Sequence, residues 1–252
     1  MRLKQMAEFD TIEAVAGKIK ENLDSDADKK KISILYAFNS TGKTRLSTAF
    51  TELANDDKVL CYNAFVEDLF KWDNENYILT LDPKSWIVEL IKEQGIEKNI
   101  SDNFSKIINS KIEPEFNLSK GEITFNIVSG DNDAKSNIKI SKGEESMFIW
   151  SIFYTILETA IDALNTKEDE RTTPAFNTLE YVIVDDPISS IDDTKIITMA
   201  IELIETIKKP IDCPKIKYSL PKIYLTTTQE SIQSILFRRC FKKNRLDATK
   251  LF

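Results

Sequence analysis

Residues 31–46, KISILYAFNSTGKTRL, constrain the fold more than any other stretch of this chain. The β-branched run Ile32–Leu35 predicts a short strand, and Gly42-Lys43-Thr44 opens a helix after a tight loop. Backbone N–H groups of such a loop and of the helix N-terminus converge on phosphates. Lys43 would reach the β- and γ-phosphates of a nucleotide, and the Thr44 hydroxyl would ligate Mg²⁺. The residues predicted to bind the nucleotide here are Asn39, Ser40, Thr41, Gly42, Lys43, Thr44 and Arg45.

This loop departs from the full phosphate-loop pattern at two positions. Ala37 stands where the pattern has its first glycine, and Ser40 replaces a frequent second one. Glycine serves such loops because its backbone adopts a positive φ and approaches a phosphate closely, which serine does only at a cost. The alternative interpretation is a turn and helix start that merely contains Gly-Lys-Thr.

The size and charge of the chain limit its class. With 252 residues, of which 42% are hydrophobic, it can bury the core of one large α/β domain or of one domain with a lobe. A net charge of −7 argues against a surface that coats nucleic acid. Basic residues cluster near the C-terminus; they are Arg238, Arg239, Lys242, Lys243 and Arg245. We interpret this cluster as a solvated helix face, although direct nucleic-acid contact stays open.

The chain contains no histidine, and this removes several chemistries at once. Ser-His-Asp and Cys-His nucleophile systems and histidine zinc sites are excluded. Three isolated cysteines, Cys61, Cys213 and Cys240, are expected to be small apolar residues in a reducing compartment. No signal peptide and no apolar run of membrane-spanning length is evident, which favours a soluble cytoplasmic protein.

Apolar periodicity predicts alternating helices and strands. The predicted helices are residues 8–23, 43–54, 84–94, 102–110, 142–164, 192–208 and 229–243. The predicted strands are residues 32–35, 58–63, 122–128, 181–186 and 222–227, with 137–140 pairing back onto 122–128. This alternation predicts an α/β fold with a mainly parallel sheet covered by helices. A single domain, 1–252, would have a nucleotide-binding core at 31–60 and 179–230 and a helical and β lobe at 64–178.

Two further segments carry candidate chemistry. The apolar strand ending in Asp185-Asp186 can place one carboxylate to hold Mg²⁺ through water and a second to orient an attacking water. These roles fall to Asp185 and Asp186, respectively. Ser141-Lys142-Gly143-Glu144 opens a helix, whose N-terminus presents a hydroxyl and free N–H groups to an anion. The alternative for this second segment is an ordinary helix cap with first-turn acids.

In their order along the chain, these segments resemble the ABC-class ATPases, which are P-loop NTPases. The matching parts are the phosphate loop, the Ser141–Glu144 signature, the Asp185-Asp186 strand end and the loop that contains Asp192. More narrowly, the chain is similar to the ATPase part of bacterial anticodon nucleases and their relatives in anti-phage defence. The phrases that carry this likeness are YAFNSTGKTRLSTAF, YNAFVEDLFKWDN, ISKGEESMFIWSIF and VIVDDPISSIDD. The likeness covers most of residues 31–230.

The resemblance implies a head-to-tail homodimer that holds two ATP molecules with Mg²⁺. Each ATP would lie between one copy's phosphate loop and the other copy's signature, so that Ser141 and Gly143 contact the γ-phosphate in trans. Glu144 of the same signature is a further predicted nucleotide-binding residue. Hydrolysis would open the dimer and signal to an effector such as a nuclease. Related nucleases are expected to use a catalytic histidine, so nuclease chemistry is not expected from this chain.

One further departure bears on activity. Thr228 occupies the position of an expected switch histidine that would contact the γ-phosphate. Threonine donates one hydrogen bond but carries no positive charge. Two hypotheses therefore stand: an active ATPase that dimerises on ATP and regulates a defence effector, or a non-hydrolysing nucleotide sensor that partners a separate nuclease.

Two groups of aromatic residues are interpreted as core rather than as a stacking platform. They are Phe148, Trp150 and Phe153 in one group, and Phe65, Phe70 and Trp72 in the other.

Overall fold

The chain is described by a computed structural model. It covers residues 9–24, 32–38, 40–127, 136–171, 173–185 and 222–227, together with 195, 199, 201–203, 205 and 206. The chain divides into two compact units. The first unit comprises Met1–Ala64, Ile161–Pro187 and Ala200–Phe252, and the second comprises Phe65–Ala160 and Ile188–Met199.

Eight strands and six helices are bounded as follows within the described residues. The strands are β1 (Ile32–Tyr36), β2 (Val59–Tyr62), β3 (Lys71–Asp73), β4 (Ile78–Thr80), β5 (Ile112–Asn117), β6 (Glu122–Ile127), β7 (Tyr181–Asp185) and β8 (Lys222–Thr227). The helices are α1 (Ile12–Asp24), α2 (Lys43–Ala54), α3 (Ala64–Glu67), α4 (Trp86–Gln94), α5 (Glu97–Ile108) and α6 (Lys142–Leu164). Short 3₁₀ turns follow α2 and α6, at Asp56–Lys58 and Glu168–Glu170.

The first unit is built on a four-stranded parallel sheet in the order β1-β8-β7-β2. The prediction of a parallel sheet is confirmed for this unit. All five residues of β7 are buried, as expected of a central parallel strand covered on both faces. Because the strands are parallel, their carboxyl ends meet at one edge, where the loop after β1 and the end of β7 also lie.

Helices α1 and α2 pack against one another and cover one face of this sheet. The core between them and the sheet includes Leu46 and Phe50 from α2 and Tyr181 and Ile183 from β7. The Phe50 ring meets Tyr181 edge-on at 5.3 Å between centroids. Tyr181 also donates its hydroxyl to the Asp24 carboxylate at 2.7 Å, which fixes the end of α1. The α2-covered face therefore carries the odd-numbered residues of β7.

The second unit contains an antiparallel sheet in the order β3-β4-β6-β5. We predicted that β6 would pair with residues 137–140, and this was wrong as a strand assignment. The partners of β6 are β4 and β5, and residues 137–140 form no strand; Ile138 N–H donates to Phe125 O at 2.8 Å. The sequence analysis missed β5, whose sequence is IEPEFN, because Pro114 has no backbone N–H to donate to a neighbouring strand. A proline is tolerated there since β5 is an edge strand.

The helices of the second unit follow the prediction with shifted ends. Helix α5 begins at Glu97, earlier than the expected 102. Helix α4 begins after Ser85, whose hydroxyl accepts from Val88 N–H at 3.4 Å. It ends at Gln94, and the next residue, Gly95, has φ +60. Phe104, Phe125 and Phe148 form the centre of this unit, with centroids 5.0–6.0 Å apart.

The prediction of core aromatics is confirmed except at two residues of the second group. Phe148, Trp150, Phe153 and Phe70 are buried. Trp72 is half-buried. Phe65 is 62% exposed, so its assignment to the core was wrong. Phe65 lies in the short helix α3 directly after β2, where the chain turns at the surface.

Helix α6 is long and apolar enough to cross a membrane by length and composition alone. Of its 18-residue apolar window, 78% is buried inside the fold, which is typical of a core helix. The described residues between 195 and 206 are helical, in agreement with the helix predicted there. The helix predicted at 229–243 lies outside the described residues.

Candidate functional site at the carboxyl edge of the parallel sheet

Two residues of the loop between β1 and α2 have a left-handed backbone conformation. Gly42 has φ +95 and directly precedes α2, and Ser40 has φ +64. A left-handed conformation costs a residue with a side chain about 1–2 kcal/mol relative to glycine. Ser40, which replaces a frequent glycine of such loops, therefore adopts the backbone conformation that glycine takes most easily.

Lys43 closes this loop on itself. Its side chain is buried, and Nζ donates to Phe38 O at 3.3 Å and to Ala37 O at 3.4 Å. Thr41 Oγ1 donates to the same Phe38 carbonyl at 2.7 Å. The ammonium thus lies beside the carbonyls of Ala37 and Phe38, where a phosphate placed in that loop would meet a positive charge.

The first turns of α1 and α2 lie side by side at this loop. A Cβ built on Gly42 would be 3.4 Å from Ile12 Cδ1, so α1 begins against the loop. The pKa of the Glu13 carboxyl is lowered, mainly by backbone and Thr11 hydrogen bonds, with a smaller contribution from Arg45. Arg45, a predicted nucleotide contact, is exposed at the start of α2.

Asp185 ends β7 as a buried carboxylate. Because it follows Tyr181 and Ile183 at two-residue intervals, it lies on the face covered by α2. Strand β8 separates β7 from β1, which places Asp185 about two strand spacings, ~9.5 Å, from the strand that carries the loop. The half-buried Thr44 at the start of α2 and Asp185 thus belong to one face of one unit.

The sequence analysis missed Asn63, which belongs to the same edge. Tyr62 is paired with Val184, so Asn63 and Asp185 occupy the next position in the register. Asn63 Nδ2 donates to Cys61 Sγ at 3.4 Å, and this places both side chains on the α2-covered face. A polar residue directly after the apolar run Val59–Tyr62 was the available signal, since strand ends gather at this edge.

Cys61 reports on Asp185. Two effects together raise the pKa of the Cys61 thiol to about 12. The larger is burial of the thiol, and the smaller is the nearby Asp185 carboxylate. We expect Asp185→Asn to lower this pKa, because removing the negative charge makes the thiolate less unfavourable. The rate of Cys61 alkylation by iodoacetamide, followed against pH in a background of Cys213→Ser and Cys240→Ser, measures the shift because only the thiolate reacts. An unchanged pKa would contradict the proximity of the two groups.

The segment Ser141–Glu144 forms a capping box at the start of α6. Glu144 N–H donates to Ser141 Oγ at 3.2 Å, and Ser141 N–H donates to Glu144 Oε2 at 2.7 Å. Ser141 is exposed. The buried Glu145 carboxylate accepts from Lys142 Nζ at 2.8 Å. Ser141–Glu144 is therefore a helix cap, as the alternative interpretation stated. Because Ser141 Oγ acts as an acceptor in this cap, its hydroxyl proton can still be donated to another group.

Removal of this cap has a defined cost. We expect Ser141→Ala to destabilise the second unit by about 1 kcal/mol, and Ser141→Gly by only a few tenths. Urea unfolding followed by tryptophan fluorescence measures both, because all three tryptophans, Trp72, Trp86 and Trp150, lie in this unit. An unchanged stability of Ser141→Ala would show that the cap bond does not stabilise this unit.

The predicted site residues fall into three groups. The loop residues Ser40 to Arg45 and Asp185 lie in the first unit, around the carboxyl edge of its sheet. The signature residues Ser141, Gly143 and Glu144 lie in the second unit. The remaining predicted site residues lie outside the described part of the chain; they are Asn39, Asp186, Asp192 and Thr228.

Among the described residues, no group of three or more His, Cys, Asp or Glu side chains is arranged to hold a metal ion. A cation that needs a complete protein cage is therefore unsuited to the described part of the site. Mg²⁺ differs, since it is commonly held by one or two oxygen ligands together with water and phosphates.

Comparison with known proteins finds one similar sequence of known name. An Escherichia coli protein named anticodon nuclease is 39% identical over 234 residues, which cover 82% of this chain. The chain spans 57% of the length of that relative. No family model matches the chain.

Comparison with solved structures gives only distant likenesses. A Smc head bound to the C-winged helix domain of ScpA is 13% identical, with a TM-score of 0.36 over 58% of this chain and 38% of that chain. A Smc head domain with a coiled coil and joint from Pyrococcus yayanosii is 13% identical, with a TM-score of 0.35 over 58% of this chain and 24% of that chain. Likenesses of this size are too small to define the fold, which we describe from its own sheet order.

Proposed function

We propose that this chain is an ABC-class P-loop ATPase that binds Mg-ATP, dimerises head to tail and controls an anticodon-nuclease-like defence effector. The observation that carries the proposal is the closed loop after β1. There a left-handed Gly42 precedes α2, and the ammonium of Lys43 is held by the loop carbonyls. This arrangement suits the β- and γ-phosphates of a nucleotide, since it combines a helix N-terminus with a buried positive charge.

The residues at the same edge fit a magnesium ion. Thr44 supplies a hydroxyl oxygen, and Asp185 supplies a buried carboxylate two strands away. An ion there would bind Thr44 directly and Asp185 through water, because Mg²⁺ keeps part of its hydration shell. Bound there, Mg²⁺ would neutralise charge on the phosphates. Asn63, on the position beside Asp185, adds a neutral oxygen to the same edge.

Asp186 follows Asp185 directly, and we assign to it the role of orienting the attacking water. A carboxylate at that position can accept a hydrogen bond from the water and hold it in line with the γ-phosphate. Lys43 would stabilise charge on the transferred phosphoryl group at the other side of the site.

The effector assignment follows from the similar sequence. The E. coli relative is named for anticodon nuclease activity, and this chain matches 57% of its length. The present 252 residues contain no histidine, so a nuclease step that uses a catalytic histidine would take that group from elsewhere. We therefore assign the ATPase role to this chain and the cleavage of RNA to its effector.

Phosphate release by the purified protein with Mg-ATP tests the proposal. We expect turnover in the wild type, and loss of turnover with retained ATP binding in Asp186→Asn. Asp186→Asn should also accumulate an ATP-bound dimer, measured by sedimentation. Lys18→Ala, which removes an exposed lysine of α1, is the control and should behave as wild type. Unchanged turnover in Asp186→Asn would contradict the assignment.

A second candidate function is a nucleotide sensor that does not hydrolyse ATP. The strained φ of Ser40 and the uncharged Thr228 in the switch position favour it. It predicts ATP affinity by calorimetry without phosphate release, and a stable complex with a separate nuclease. Absence of any nucleotide affinity would contradict both candidates.

A further inference from the structure

We propose that Thr41 is a positioning residue of the phosphate loop: its hydroxyl holds the Phe38 carbonyl and thereby keeps Lys43 ready to be taken over by a phosphate. This inference rests on the proposed binding of Mg-ATP and adds a side-chain role to it. The sequence analysis counted Thr41 only among the residues that bind the nucleotide. In the structure its hydroxyl makes a contact within the loop itself.

The first observation is a short hydrogen bond across the loop. Thr41 Oγ1 donates to Phe38 O at 2.7 Å, which is the usual length for a hydroxyl donor. The bond joins residues three apart and closes the turn that precedes α2. Because the acceptor is a peptide oxygen, the bond fixes the backbone of the loop rather than another side chain.

The second observation is that this turn needs a contact to hold it. Thr41 lies between Ser40, with φ +64, and Gly42, with φ +95. A left-handed backbone is unfavourable for serine, because its Cβ crowds the following carbonyl oxygen. The loop therefore adopts its shape against the preference of Ser40, and the Thr41 bond, which spans Ser40, offsets part of that cost.

The third observation concerns the lysine that shares the Phe38 carbonyl. Lys43 Nζ donates to Phe38 O at 3.3 Å and to Ala37 O at 3.4 Å. Both bonds exceed the usual limit of about 3.2 Å for an N–H donor. A charge-assisted bond to a phosphate is shorter and stronger, so it replaces such long bonds readily. The loop thus orients the ammonium but holds it loosely.

Thr41 and Lys43 share one acceptor, and this links the two side chains. A carbonyl oxygen has two lone pairs, and the short bond from Thr41 uses one of them. Without the hydroxyl, Lys43 could approach Phe38 O more closely, and moving the ammonium to a phosphate would then cost more. The loop would also lose the bond across Ser40, so that nucleotide binding would have to order it. Both changes lower the affinity for a nucleotide.

The size of the effect follows from the loss of one hydrogen bond, which changes an equilibrium about 3- to 10-fold. We expect Thr41→Val, which removes the donor but keeps a side chain of similar shape, to weaken Mg-ATP binding about 3- to 10-fold in calorimetry. Thr41→Ser retains the hydroxyl and should bind as wild type does. Equal losses for these two variants would overturn the role of the hydroxyl.

Cleavage of the full chain by chymotrypsin detects the same bond without nucleotide. Phe38 is 70% exposed, and cleavage after it requires its carbonyl to leave the loop and enter the oxyanion hole of the protease. We expect Thr41→Val to speed the appearance of the peptide that ends at Phe38, measured by mass spectrometry. Thr48→Val is the matched control, because Thr48 is also exposed and donates to a backbone carbonyl, Thr44 O, at 3.0 Å. It should change neither cleavage nor affinity.

The two measurements separate the possible results. Weaker ATP binding with an unchanged cleavage rate would overturn the inference and assign the Thr41 hydroxyl to a direct contact with the nucleotide. Faster cleavage with unchanged ATP binding would overturn it as well, because the bond would then hold the loop without serving the ligand. In both cases wild-type protein binds ATP, so the proposed function stands. Wild-type protein that binds neither Mg-ATP nor Mg-tripolyphosphate would overturn the proposed function together with this inference.

Discussion

We expect Lys43→Ala to abolish ATP turnover and to weaken ATP binding about 10- to 100-fold. The affinity loss follows from removal of a charge-assisted hydrogen bond to phosphate, worth about 1.5–3 kcal/mol. The loss of rate adds to it, because a donor aimed at the developing charge contributes about 10²–10³ in rate. Phosphate release and calorimetry with Mg-ATP measure the two effects separately.

The fold of the Lys43→Ala variant needs its own control, since the lysine also closes the loop. Its bonds to Ala37 O and Phe38 O are 3.4 and 3.3 Å long, so each contributes modestly to stability. We expect thermal unfolding of Lys43→Ala within a few degrees of wild type. A large fall in the unfolding temperature would show that the variant loses turnover because it unfolds, and not because it lacks a phosphate contact. Turnover equal to that of wild type would contradict the phosphate-loop assignment.

Gly121→Ala is expected to destabilise the second unit by about 2–5 kcal/mol. Gly121 is buried in the turn between β5 and β6, with φ +68, and its carbonyl accepts from Leu81 N–H at 2.9 Å. A Cβ at this position would be 2.0 Å from Leu81 O and 3.1 Å from Pro83 N. Both close atoms are backbone, so relief requires movement of the chain before α4. Tryptophan fluorescence in a urea titration measures the loss.

Gly95→Ala is a matched control for this substitution. Gly95 has a similar φ of +60 but an open surrounding, with no atom within 4 Å of an added Cβ. It lies in the same unit, so the same tryptophans report on it. We expect Gly95→Ala to cost only the left-handed backbone penalty, about 1–2 kcal/mol. Equal losses for the two variants would show that the contact with Leu81 does not matter.

The first unit was largely predictable because its signals are local and strong. The run Ile32–Leu35 before the loop and the run Tyr181–Val184 before Asp185 each have one plausible structure, a buried strand. The positive φ of Ser40 was also predictable, since the loop pattern asks for glycine there. Asn63 was missed because its role comes from the pairing of β2 with β7, which no local pattern contains.

The second unit was less predictable for physical reasons. Strands β3 and β4 have three residues each, too few for a period to stand out. Strand β5 contains Pro114 and two glutamates, and these residues hide an edge strand. Phe65 was assigned to the core on its hydrophobicity alone, yet it is 62% exposed. In each case long-range packing, rather than local preference, decided the outcome.

The order β1-β8-β7-β2 has a consequence for biosynthesis. Ile32 pairs with Ile223, so strands 191 residues apart in sequence (223 minus 32) must meet before the sheet is complete. At a synthesis rate of 5–20 residues per second, β1 waits about 10–40 s for β8. The intervening unit, by contrast, is held together by near neighbours such as β5 and β6 and can form earlier. Under the proposed function, competence to bind a nucleotide therefore waits for β8, and a chain stalled in translation before β8 would remain without it.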